Sequence, residues 1–66
     1  MDATYAVIAT GYDKPTLSKH ATTLDRAEEL FHAMRGTLRA IGDDRTVYLL
    51  EFRGDAERTI RKDWVN

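Results

Sequence analysis

The chain has no cysteine, a single proline, four glycines and no apolar run longer than Tyr5 to Ala9. Without cysteine, neither disulfides nor thiolate metal sites can brace the fold, and the composition fits a reducing cytoplasm. That short run falls far below the roughly 20 residues needed to span a bilayer. Met1-Asp2 opens on an acid where a signal peptide needs bases, so neither membrane insertion nor export is expected. Ten Lys and Arg against eleven Asp and Glu leave a net charge of -1. The basic excess of a dedicated nucleic-acid binder is missing, and so is the acidic excess of a nucleic-acid mimic. The glycines are scattered at 11, 36, 42 and 54 and form no phosphate-cradling loop.

What is present is 66 residues, 42% hydrophobic and 32% charged, the composition of one small α+β domain spanning residues 1–66. A chain of this length buries only about 60% of its unfolded surface. Its core supplies about 3 to 5 kcal/mol of net stability, which argues against a deep pocket and in favour of self-association or a partner.

The hydrophobic pattern resolves five elements. Ala3 to Thr10 carries β-formers on both parities, as a central strand does. Gly11 to Pro15 clusters turn residues. Thr16 to Thr22 alternates weakly and reads as a polar edge strand; if it is loop, the layout reduces to βαββ with the same core. Thr23 is the expected N-cap of a helix beginning at Leu24, with Asp25, Glu28 and Glu29 at the positive end of its dipole. Ala27, Leu30, Phe31, Met34, Leu38 and Ile41 form one stripe of period 3.6. Gly36 lies inside that stripe and offers an early stop, but the stripe continues beyond it. The helix is therefore expected to reach about Ala40 and end at Gly42. Thr46 to Phe52 is the second apolar strand, and Arg58 to Val65 a polar last strand.

Strands one and three are the most apolar and belong at the centre, which orders the sheet 2-1-3-4, antiparallel throughout, with the helix on one face. Avoiding an Arg53–Arg58 clash favours a three-residue loop, Gly54 to Ala56, setting Arg53 against Glu57 and Leu50 against Ile60. That register gathers Tyr48, Leu50, Phe52, Ile60 and Trp64 beneath the helix. It turns Val47 and Leu49 outward, beside either Tyr5 and Val7 or Ala6 and Ile8.

Few residues suggest chemistry. His20 and His32 are the only groups that ordinarily titrate near neutrality, and neither belongs to a ligand or catalytic spacing. His32 follows Glu28 by four residues, a solvent-facing helix pair. Arg53-Gly54-Asp55 matches an adhesion tripeptide but reads more simply as a charged turn. Asp43-Asp44 lacks the ligand spacing of a calcium loop. No catalytic residue, cofactor or metal is expected. The last hairpin mixes Arg53, Arg58, Arg61 and Lys62 with Tyr48, Phe52 and Trp64, as nucleic-acid binders do. Glu51, Asp55, Glu57 and Asp63 nearly cancel that charge, so direct nucleic-acid binding is disfavoured. One helix covers only one side of four strands, and the uncovered side is the expected interaction surface. Its expected partner-binding residues are Val47, Leu49 and Glu51 together with Arg58, Arg61, Lys62 and Asp63 on the last strand. A protein partner or a second copy would occupy it.

The segments Y5-A-V-I-A9, T22-T-L-D-R-A-E-E-L30, T46-V-Y-L-L-E-F52 and T59-I-R-K-D-W64, taken in order, resemble small phage and mobile-element proteins, including anti-CRISPR inhibitors. The resemblance is one of size and element order and carries over no functional residue. It implies stoichiometric binding to a host nucleoprotein complex, blocking DNA binding or cleavage.

Overall fold

The computed structural model describes residues 2–65. β1 (Thr4–Thr10), β2 (Leu17–Ala21), β3 (Thr46–Arg53) and β4 (Ala56–Trp64) form one sheet in the order β2-β1-β3-β4, and α1 (Leu24–Ala40) packs on one face. Every neighbouring pair is antiparallel. The two most apolar strands are central and the two polar ones are edges, the arrangement expected when exposed strand edges must stay soluble.

Both ends of α1 follow from local chemistry. Thr23 is extended, and its Oγ1 accepts a hydrogen bond from the Arg26 N–H at 3.2 Å. At the far end the Gly42 N–H donates to the Arg39 carbonyl at 3.1 Å and the Asp43 N–H to the Leu38 carbonyl at 2.9 Å. This is a Schellman cap, and it requires the left-handed backbone that Gly42 adopts at φ +73. Gly36 does not end the helix, because the turns beyond it bury Leu38. Ile41 is the C-cap and is 70% exposed, so the apolar stripe outruns the helix by one residue.

Beneath α1 lie Tyr5, Val7 and Ala9 of β1 with Val47 and Leu49 of β3, packed against Ala27, Phe31 and Leu38 of the helix and against Val65. The expectation for the sheet faces is therefore inverted. Val47 and Leu49 are fully buried, while Tyr48, Leu50 and Phe52 lie on the side without a helix. β1 fixes this pairing, with Val7 opposite Leu49 and Ala9 opposite Val47. Those compact aliphatic side chains make a flat floor on which Phe31 can seat.

The last hairpin also departs from expectation. Arg53 pairs with Ala56 across a two-residue turn, Gly54-Asp55, with Gly54 at φ +62, as a type II′ turn demands. Leu50 then opposes Thr59, Leu49 opposes Arg61, and Ile60 is the extra residue of a β-bulge. The bulge moves Ile60 onto the helix side, where it packs against the core. The expected charge clash never arises, because Arg58 falls opposite Glu51.

A buried arginine ties the loops at one end of the sheet. The Arg45 guanidinium donates from Nη1 to the Pro15 carbonyl at 2.7 Å and from Nε to Asp43 Oδ2 at 2.9 Å. The Arg45 carbonyl accepts from the Val65 N–H at 2.9 Å. Lys14 pairs with the other Asp43 oxygen. The Lys14 hydrogen bond, reinforced by Arg45, holds the Asp43 carboxyl below its ordinary value of 3.8. A lowered folded-state pKa stabilises the fold when the group is ionised. The contribution is complete above pH 3.8 and is lost as pH falls through the lowered value. Urea midpoints of the wild type should therefore fall more steeply on acidification below that pH than those of Asp43→Asn. Equal slopes would show that Asp43 makes no linked contribution.

Candidate functional site

Strand alternation builds the face opposite α1. Ala6 and Ile8 of β1 lie beside Leu50 and Tyr48 of β3, and Phe52 follows one pair further along β3. β2 adds His20 and Ser18, the cross-strand partners of Ala6 and Ile8. β4 adds Trp64, Lys62, Thr59 and Glu57, opposite Thr46, Tyr48, Leu50 and Phe52. Ile8, Tyr48, Leu50 and Phe52 are partly buried, and Trp64 is 61% exposed. The Lys62 ammonium sits 5.7 Å from the centroid of the Tyr48 ring, a cation–π contact across the strand pair. Fully burying one such apolar side chain is worth about 1.5 to 3 kcal/mol. Partly buried already, each retains at most about 1 kcal/mol that a covering surface would realise, before the cost of association.

The structure separates the residues expected to bind a partner. Val47 and Leu49 belong to the core. Glu51 is buried on the helix side, 3.2 Å from Arg58, 3.6 Å from Arg53 and within 3.4 Å of the Tyr5 hydroxyl. Arg61 reaches the helix, with its Nε 3.1 Å from Glu28, and Asp63 lies 3.3 Å from Arg35 of the same helix. Arg58, Arg61 and Asp63 thus work on the helix side of the sheet, and Lys62 alone of the seven lies on the open face. The basic and aromatic groups of the hairpin are divided in the same way: Lys62 and Trp64 on one side, Arg58 and Arg61 on the other. No single surface combines them.

Tyr48, Leu50, Phe52 and Trp64 are the open-face residues that the sequence pattern turns inward, while it leaves the side taken by Ile8 undecided. The signal that identifies them is Gly54-Asp55 itself. A glycine followed by a polar residue between two strand patterns specifies a two-residue turn, and that turn sets Leu50 against Thr59. In the folded chain Arg53-Gly54-Asp55 is this turn. His32 Nε2 lies 3.8 Å from Glu28 on the helix surface. Among the described residues no group of His, Asp or Glu has the geometry of a metal site, and no helix is long and apolar enough to cross a membrane. No known protein family, curated protein or solved structure matches the chain.

Proposed function

We propose that this protein is a non-catalytic interaction module that holds one protein partner against the helix-free face of its sheet. The observation that carries the proposal is the contiguous apolar and aromatic surface of Ile8, Tyr48, Leu50, Phe52 and Trp64. Its charged neighbours are one cation and one acid on β4, Lys62 and Glu57. A neutral, aromatic-rich centre with a sparse polar rim suits a protein partner. A phosphate backbone would need a cationic track, and Arg58 and Arg61 turn away from this face. The narrower form of the proposal is a stoichiometric phage-type inhibitor that occupies a host nucleoprotein complex in the cytoplasm. Its support is the resemblance in size and element order.

Tagged wild type, Trp64→Ala, Leu50→Asp and Arg61→Ala would be used as baits in a bacterial lysate, with gel shifts on DNA and RNA in parallel. The expected outcome is a stoichiometric protein retained by wild type and Arg61→Ala but weakened at least tenfold by Trp64→Ala and lost with Leu50→Asp. Capture indifferent to both open-face changes would overturn the proposal. So would salt-sensitive nucleic-acid binding abolished by Arg61→Ala, or a self-dimer that Leu50→Asp converts to monomer in sedimentation.

A further inference from the structure

On the other side of the sheet, α1 packs on β1, β3 and β2 but leaves a gap beside Leu17 to Lys19 of the edge strand. The gap is a cleft of about 440 Å³ lined by Leu17 and Lys19 of β2 and by Leu30, Ala33, Met34 and Leu38 of α1. Leu30 and Met34 are only partly buried, and Leu17 is exposed. β2 pairs with β1 along one edge, and its other edge adjoins no strand among the described residues. Two features thus coincide at one place. Main-chain donors and acceptors stand ready for another strand, and an apolar trough lies beside them for its alternate side chains.

Charge decides which strand fits. Lys19 is the only charged residue lining the cleft, and it points to the same side as Leu17 and Ala21, as the cross-strand pairs Lys19–Val7, Leu17–Ala9 and Ala21–Tyr5 require. Among the described residues Lys19 pairs with no carboxylate. A second copy adding its own β2 about a two-fold axis through the strand centre would set Lys19 against Lys19. Like charges directly opposed destabilise such a pairing, which is how edge lysines keep sheets from joining. A strand bringing an acid to that position reverses the sign of the interaction.

We propose that β2 is a strand-addition edge for an extended segment of a different protein with the pattern apolar-x-acid-x-apolar. The acid meets Lys19, the apolar side chain opposite Leu17 enters the cleft, and the one opposite Ala21 continues the same apolar side of the added strand beyond the cleft's lining. This site is independent of the helix-free face and stands or falls separately from it.

The test is selection of a random octapeptide library on the intact protein, repeated on Lys19→Glu and Lys19→Gln. Lys19 is exposed, so both variants should fold, as far-UV circular dichroism would verify. Wild type should enrich the apolar-x-acid-x-apolar pattern, and the selected peptide should shift the amide signals of β2 and Met34. Lys19→Glu should enrich a base at the central position and bind the wild-type peptide at least tenfold more weakly; Lys19→Gln should lose the charge preference. Trp64→Ala should bind the wild-type peptide unchanged. Failure to enrich any pattern, the same consensus on all three proteins, or shifts confined to β4 or the helix-free face would overturn the proposal.

Discussion

Leu49→Asp is expected to leave the chain largely unfolded, whereas Leu50→Asp, one residue further along the same strand, should still unfold cooperatively from a native state. Leu49 is fully buried between Val7, Val47 and the helix. Deleting a buried leucine side chain costs about 2.7 to 5 kcal/mol even when alanine replaces it. A carboxylate in the same place adds the cost of burying an uncompensated charge or a proton taken up to avoid it. A domain of this size has about 3 to 5 kcal/mol to lose. Leu50 faces the other way and is partly exposed, so its change removes part of a side chain's burial and some strand preference, about 1 to 3 kcal/mol together, and its carboxylate reaches water. Urea titrations followed by far-UV circular dichroism would distinguish the two. A native Leu49→Asp beside an unfolded Leu50→Asp would mean that the sheet faces are reversed.

The second large effect concerns two aromatic residues. Phe31→Ala should cost about 3 to 5 kcal/mol, because Phe31 is the largest of the fully buried side chains and links the helix to both central strands. Trp64→Ala removes a bigger ring but should cost less than about 1 kcal/mol, since most of that ring is already in water. Phe31→Leu, which keeps most of the volume, should recover the greater part of the loss. Thermal midpoints of the three variants would show the ranking. A Trp64→Ala loss as large as that of Phe31→Ala would place the indole in a core that the packing does not show.

Much of the fold was legible because it depends on short-range rules. Thr23 caps α1 through its own hydroxyl, and Gly42 closes it through a backbone conformation that glycine adopts readily. Ala27, Phe31 and Leu38 meet the sheet because helical spacing places them on one side. The order of the strands followed from which were apolar enough to be enclosed. The candidate site was less legible. An uncovered face was expected, but its residues were assigned to the wrong parity. In β3 both parities are apolar, so Val47 and Leu49 compete on nearly equal terms with Tyr48, Leu50 and Phe52. The hairpin register decides between them, and a three-residue turn in place of the observed two-residue Gly54-Asp55 reverses the answer.

Composition and local pattern by themselves determined the α+β layout, the central place of the two apolar strands, the start of the helix at Thr23 and the presence of a sheet face without a helix, while β2 and the stop at Gly42 were the favoured of two readings. The tertiary structure decided which face that is, where the charged residues of β4 are spent, and that β2 borders an apolar cleft with Lys19 at its edge. The reason lies in the period of a strand. A shift of one residue exchanges every inward side chain for an outward one, and the β-bulge at Ile60 makes such a shift within a single strand. The turn is specified locally by Gly54-Asp55, but the bulge position depends on how β4 settles against β3 and the helix at once, through Arg58 on Glu51, Arg61 on Glu28 and Asp63 on Arg35. These are contacts between segments far apart in the chain, and no local pattern encodes them.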